Sequence, residues 1–506
     1  MSHALGGRDK PRGDRRLRLQ DATLEGVRWI TYGRVATELI SFATLAILAH
    51  LIPPVEYGRV AIALILQGLA FALTNEGFGN PLVQRRELDG RHVGSATVMS
   101  LAFGALLCAL VLVVAPLVAT PLYGPRTTQL VQLASALFPI YSLVVVPEAL
   151  LMRQLQLARI TLAEITGLLA GSTLSVALAI VGLGATAVVI GTIATAAVTA
   201  LVLLAHTGLP RVSWRWHEAR DVLAYGLPAA LAALLYLAVR NVDNVLVGAR
   251  LGARRLGLYY RAFALGVANQ QKIGLILMRV AFPAYSGADG GEQMRRMRNR
   301  MTCLNSAVIL PLLVLLAITA PEVVPFVFGA RWAPAVVPTQ ILTAAGIASS
   351  LTGAAFPFLF AAGHPRAVLR LNAATLVVFL GALLLALPHG LRAVCLAVVA
   401  TNIFTMLAAY WLMRRLAAVP LSSAWRDTAP ALAGSVVLGA ITLPLLHLLS
   451  AQAALPPIAA AALAGCAGGA GYLLTLRGLF RDAFDDLALV ARRVAGRGGA
   501  TVPAAG

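Results

Sequence analysis

Fourteen separate stretches of about 20 predominantly apolar residues fill this 506-residue chain, centred near residues 40, 68, 107, 140, 170, 195, 235, 270, 312, 347, 377, 401, 439 and 465. A helix of that length spans the hydrocarbon of a bilayer, at about 1.5 Å per residue. The connections are short, roughly 5 to 18 residues, so no folded soluble domain of about 50 residues or more fits between them. Only 12% of the residues are charged, against about 25% in an ordinary soluble domain. The fold class these runs predict is an all-α polytopic membrane protein of about 14 transmembrane helices, and any function must be carried between the helices.

The chain is also basic, with 41 Lys+Arg against 21 Asp+Glu and a net charge of +20. In a soluble protein that excess points to nucleic acid; here it is read against a membrane, and no nucleic-acid partner is expected. When successive loops are assigned to alternate sides, 28 of the 41 bases fall on the side holding both termini, 7 on the other, and 6 inside spans. The positive-inside rule therefore places both termini in the cytoplasm. The loop with Arg250, Arg254 and Arg255 departs from the pattern by putting three bases outside. It reads either as a solvated loop or as an outward-facing anion contact.

Residues 1–28 form a basic arm. The run from Trp29 to Ile52 is too long for the apolar region of a signal peptide and contains Arg34 and Glu38, so it reads as an uncleaved first helix. A weak repeat pairs Tyr32-Gly33 and Gly58 with Tyr225-Gly226 and Gly257. Six helices separate its two starts, which suggests two six-helix lobes in the same orientation, residues 29–210 and 211–415, with a helix pair at 416–477. After the last span, residues 478–506, Phe480, Phe484, Leu487, Val490 and Val494 recur at helical spacing, so an amphipathic helix on the inner membrane surface is expected before a Gly- and Ala-rich tail.

Ionisable residues inside the spans carry the functional signal, because each costs about 2.5–3.5 kcal/mol at mid-bilayer on insertion scales unless it has a partner or a wet cavity. Arg261, Lys272 and Arg279 are separated by 11 and 7 residues, and on a uniform α-helix they share one face. That stripe reads either as the wall of an anion pathway or as two snorkelling ends flanking a lysine paired with a buried acid. In the first span Arg34, Thr37, Glu38 and Ser41 share a face; Arg34 and Glu38 either neutralise each other or line a cavity. The seventh span places Tyr236, Arg240, Asp243 and Asn244 on one side. Glu76, Glu148 and Glu164 lie near span ends, as does Arg370.

No G-x-x-x-x-G-K-[ST] loop, H-E-x-x-H or G-x-S-x-G motif is present, and the histidines lack metal-ligand spacing. The four cysteines fall separately inside apolar runs and read as small core residues. No metal, cofactor or catalytic residue is expected. The outer loops offer only Glu56 and Glu322 as acids, so a transporter is favoured over a membrane transferase.

Four segments resemble the polysaccharide-transporter, or oligosaccharide flippase, family of the MOP exporter superfamily: GFGNPLVQRREL (77–88), PEALLMRQLQLARITLAEITG (147–167), residues 225–265, which include RNVDNVLVG and LGLYYRA, and FGARWAPAVVPTQIL (328–342). The similarity runs in register from about residue 25 to 415. It implies two six-helix lobes around a central cavity and alternating access across the bacterial cytoplasmic membrane. The implied substrate is a polyprenyl-diphosphate-linked oligosaccharide, handled with membrane lipids and in company with a polysaccharide polymerase and glycosyltransferases. On that reading Arg34, Arg240, Arg261 and Lys272 contact the diphosphate, and Arg279 and Arg370 stand at the inner entrance. Glu38 and Asp243 compete for those bases or bind a coupling cation, and Thr37, Ser41, Tyr236, Asn241 and Asn244 meet sugar hydroxyls. The alternatives are a cation-coupled multidrug exporter of the same superfamily, which would rely on cavity acids, and a membrane glycan polymerase or ligase.

Overall fold

A computed structural model describes residues 33–85, 88–208, 213–268, 291–451 and 455–494. Thirteen helices among them are long and apolar enough to cross a membrane, and each coincides with one of the apolar runs. The run near residue 270 falls mostly outside the described residues, as do the basic arm, the last residues of the tail, Lys272 and Arg279. By packing, the chain divides into two units, Met1–Leu256 and Gly257–Gly506.

The described part of unit 1 contains α1 (Gly33–Leu51), α2 (Pro54–Thr74), α3 (Asn80–Gln84), α4 (Gly90–Tyr123), α5 (Pro125–Ala134), α6 (Leu137–Arg153), α7 (Leu157–Ile180), α8 (Ala185–Thr207), α9 (Trp216–Leu251) and the start of α10 (Ala253–Phe263). A π turn over Asn75–Gly79 joins α2 to α3, and together they form the second span. Small residues let the backbones close up. A Cβ on Gly191 would lie 1.7 Å from Ser175 Oγ, and one on Gly171 would lie 2.3 Å from the Gly191 carbonyl, so α7 and α8 pack nearly backbone to backbone. Helix α9 belongs to this unit and packs on α2, α4 and the π turn. The packing boundary therefore comes one helix later than the 210/211 boundary suggested by the sequence repeat. Its cause is visible at Gly226, where a Cβ would meet the Gly77 carbonyl at 1.9 Å.

Unit 2 continues α10 through a second π turn, Ala264–Ala268, and then contains α11 (Gly291–Phe328), α12 (Val336–Thr352), α13 (Ala355–Ala361), α14 (Pro365–Ala386), α15 (Leu391–Ala417), α16 (Leu421–Ala451), α17 (Pro457–Leu479) and α18 (Arg481–Val494). The GARWAP stretch serves a structural turn: Gly329 at φ 94° ends α11, and the short 3-10 turn that follows buries Trp332 completely against Phe328. Helices α16 and α17 pack on each other and on α11.

Helix α18 forms where the amphipathic spacing predicts it, and the first part of its apolar face packs on protein. Ala483 is buried with Leu438, Tyr472 and Leu476, while Phe480, Phe484 and Leu487 pack around that cluster. Arg300 of α11 grips Asp486 through Nε at 3.0 Å and through Nη2. Lipid-facing surface is found elsewhere: Leu106, Leu110, Val113 and Leu117 of α4 are all more than half exposed, which in water would be an association surface and in a bilayer is solvated by acyl chains.

Candidate functional site

In unit 1 the first span is joined at its start to the fifth, since a Cβ on Gly33 would lie 2.1 Å from Thr161 Cγ2. This sets Arg34 within electrostatic range of Glu164, and Glu164 within range of Glu148 on α6. Tyr141, two turns along the same face of α6, interacts with Glu148 and accepts a hydrogen bond from Gln67 Nε2 of α2 at 3.4 Å. A polar line thus runs across the unit from α1 through α7 and α6 to α2. Sequence spacing gave Arg34 the neighbour Glu38; the additional partner Glu164 on α7, and Glu148 beyond it on α6, come from tertiary packing, which no single-helix spacing encodes. Glu38 and Ser41 are exposed, Thr37 is half-buried, and the Thr37 hydroxyl donates to the Arg34 carbonyl at 3.0 Å.

On α9, Arg240 and Tyr236 pair across one helical turn: Nη1 donates to the phenol oxygen at 3.1 Å and the guanidinium lies 5.9 Å from the ring centroid. Both side chains are exposed, whereas Asp243 is 4% exposed and accepts the Asn244 backbone N–H at 2.8 Å. Asn241 donates to the Leu237 carbonyl, and Asn244 is half-buried. Arg34, Thr37, Glu38, Ser41 and the α9 group all belong to unit 1.

In unit 2, Arg261 is half-buried with its guanidinium 5.5 Å from the Tyr260 ring, and Arg370 is exposed on α14. The shared face assumed for Arg261, Lys272 and Arg279 depends on uniform α geometry. The π turn at Ala264–Ala268 interrupts that geometry directly after Arg261, so the 11-residue spacing no longer fixes a common direction.

Two charged clusters outside the expected set hold helix ends. At one end of unit 1, Arg85 Nη2 meets Asp221 at 2.9 Å, with His217 and His92 at 3.8 and 4.0 Å from the same carboxylate oxygen. Beside them Arg153 donates to the Leu82, Val83 and Arg85 carbonyls, closing the end of α3. In unit 2, Arg298 is only 1% exposed; its Nη2 donates to Asp427 at 3.0 Å, to Ser423 at 2.9 Å and to Asn299. Sequence alone counts Arg298 with the other bases of the terminus-bearing side, and the structure buries it in a pair that joins α11 and α16.

At the opposite end of unit 1, where α1, α4, α7 and α9 finish, two cavities of about 570 and 360 Å³ flank Arg59. Among the described residues no group of three or more His, Cys, Asp or Glu side chains is placed to hold a metal ion.

Residues 47–337 match the model of a family described as "Polysaccharide biosynthesis protein". The chain belongs to that family. Among curated relatives of this chain, the lipopolysaccharide biosynthesis protein WzxC of Escherichia coli (strain K12) is 24% identical over 66% of this chain and 68% of its own length. The teichuronic acid biosynthesis protein TuaB of Bacillus subtilis (strain 168) is 23% identical over 64% and 68%. Among solved structures, the lipid II flippase MurJ in an inward closed conformation aligns over 91% of this chain and 99% of its own, with a TM-score of 0.71 at 13% identity. An inward-facing multidrug resistance MATE transporter of the MOP superfamily aligns over 76% and 95%, with a TM-score of 0.59 at 16% identity. These likenesses show that the chain shares the fold of these two solved transporters.

Proposed function

We propose that this protein is a transporter, not an enzyme, and that it moves a lipid-linked saccharide across the bacterial cytoplasmic membrane. The observation that carries the reading is the family match over residues 47–337, in a chain whose whole fold follows that of a lipid II flippase. The finer proposal is a polyprenyl-diphosphate-linked oligosaccharide moved by alternating access between two lobes, with both termini in the cytoplasm. Membrane-embedded bases support it. A diphosphate leaving the headgroup region needs cationic partners, and Arg offers forked contacts while Lys offers a point charge. Arg34, Arg240, Arg261 and Lys272 are the proposed contacts, Arg279 and Arg370 the entrance, and Glu38 and Asp243 the groups that exchange partners during the cycle. Thr37, Ser41, Tyr236, Asn241 and Asn244 offer hydroxyl-binding groups. A polymerase and glycosyltransferases would act on the same lipid-linked intermediate before and after this step.

The test is a proteoliposome assay with a fluorescent polyprenyl-diphosphate trisaccharide, in which translocated lipid is quenched by an impermeant reductant. Wild-type protein should raise the quenched fraction well above that of protein-free vesicles, and Arg240→Ala with Lys272→Ala should reduce the rate at least tenfold. Unchanged rates would remove the basic-contact mechanism. Export of a cationic dye with no lipid translocation would favour the drug-exporter alternative.

A further inference from the structure

Of the seven bases assigned to the outer side, five are Arg59, Arg126, Arg250, Arg254 and Arg255, all within unit 1. The positive-inside rule disfavours such a concentration, so it calls for a cause other than topology. Arg59, Arg126 and Arg250 line the two cavities described above. The larger, at about 570 Å³, lies in the range of about 300–1,000 Å³ common for small-molecule sites. The sole acid in either lining is Glu56, which pairs with Arg59.

Backbone electrostatics adds to the side chains. Helices α2, α5 and α8 all begin at the larger cavity, through Pro53 and Glu56, Arg126 and Gln129, and Gly184 to Thr186. The three helices pack on one another, and none has a side-chain N-cap. Their first turns are partly closed on the residues that open them, Glu56 N–H on Pro53 O at 3.0 Å, Thr128 on Gly124 at 3.2 Å and Thr186 on Leu183 at 3.1 Å, and each N-terminus carries roughly half a positive charge. Helices α1 and α7 finish at the same cavity, and their C-terminal carbonyls set partial negative charge against part of that field, so the arginines carry the main positive charge.

We propose that these cavities form a receiving site for an anionic saccharide, a sugar chain carrying carboxylates, at the outer mouth of unit 1. Arg126 and Arg250 bind the carboxylates, and the Glu56–Arg59 pair, Gln129 and Thr186 bind hydroxyls. A bare phosphate offers acceptors alone and leaves Glu56 without a donor, whereas a saccharide's hydroxyls can donate to Glu56 and accept from Arg59 while its carboxylates meet Arg126 and Arg250; this mixed lining is why a saccharide fits better than a phosphate or a lipid headgroup. The inference rests on the transport reading, as the place where the glycan arrives.

The test is binding of trigalacturonate, maltotriose and pyrophosphate to full-length protein in phosphatidylcholine nanodiscs. Trigalacturonate should bind at least tenfold more tightly than maltotriose, weaken as salt rises, and lose at least tenfold in affinity in Arg126→Gln and in Arg250→Gln, two exposed positions. Equal binding of the two trisaccharides, or variants that bind as wild type, would overturn the proposal. Tighter, competing binding of pyrophosphate would overturn it in favour of a phosphate site. Trigalacturonate binding abolished by phosphatidylglycerol in the disc at constant ionic strength would overturn it in favour of a lipid-headgroup site. The transport reading is separated by the vesicle assay: lipid translocation without saccharide binding sinks this inference alone, and saccharide binding without translocation sinks the transport reading alone.

Discussion

Replacing Asp427 by Ala should destabilise unit 2 more than any exposed charge substitution. Arg298 and Asp427 have side chains only 1% and 6% exposed. Arg298 Nε and Nη1 have no hydrogen-bond partner, so all of its neutralisation passes through Nη2. Without Asp427 the guanidinium keeps one hydroxyl, Ser423, and one amide, Asn299. Removing one member of a buried pair costs about 3–5 kcal/mol, and each kcal/mol shifts the midpoint by about 2–4 °C in a unit of about this size, so a fall of roughly 10 °C is expected. The double variant Arg298→Met/Asp427→Leu removes both desolvated charges and should recover most of that loss. Thermal unfolding of the full-length protein, followed by fluorescence-detected size exclusion, reads both. A single variant within about 2 °C of wild type, or a double variant as unstable as the single, would refute the reasoning.

Gly226→Ala and Gly346→Ala should each lower folded yield, because the new Cβ would meet the carbonyl of a π-turn glycine, Gly77 at 1.9 Å or Gly266 at 2.0 Å. Gly381→Ala and Gly469→Ala, which open onto free space inside helices, should instead leave the midpoint unchanged or raise it slightly. Asp486→Ala should cost at most about 1 kcal/mol, since Arg300 is 57% exposed, yet it should make the junction before α18 more sensitive to added protease. Arg153→Met should cost roughly 1–3 kcal/mol by leaving the carbonyls that end α3 without their donor; a thermal scan checks it.

The membrane architecture was legible in the sequence because a span is a composition signal about 20 residues long, and all thirteen described spans lie where such runs occur. The amphipathic period of α18 was legible for the same reason, but its destination was not: a stripe of Phe480, Phe484 and Leu487 is equally suited to lipid and to the α11, α16 and α17 surface that holds it. Arg298 looked like its neighbours Arg295, Arg296 and Arg300, since burial depends on α16 bringing Asp427 to it from 129 residues away. The π turns escaped the 100° periodicity on which the face assignments rested. Their only local mark is a glycine, and its partner glycine lies on another helix. At the two cavities flanking Arg59, the bases of the Arg250 loop were conspicuous in the sequence, whereas Arg59 and Arg126 came to line one cavity only when α2 and α5 were packed together.

The two π turns bear on how such a protein changes shape. In each unit one follows a helix directly, α2 in unit 1 and α10 in unit 2, and in each it presents a glycine carbonyl to a glycine of another helix, Gly77 to Gly226 and Gly266 to Gly346. A π turn leaves its i→i−4 ladder locally unmade, so it is a place where a helix bends at low cost. A glycine-to-glycine contact is a bearing without side chains to unlock. Alternating access requires helices to tilt inside a packed unit whose interior resists compression. Under the proposed alternating access, two pivots of the same construction would allow α2 and α9 in unit 1, and α10 and α12 in unit 2, to tilt without opening the glycine-packed α7 and α8 pair.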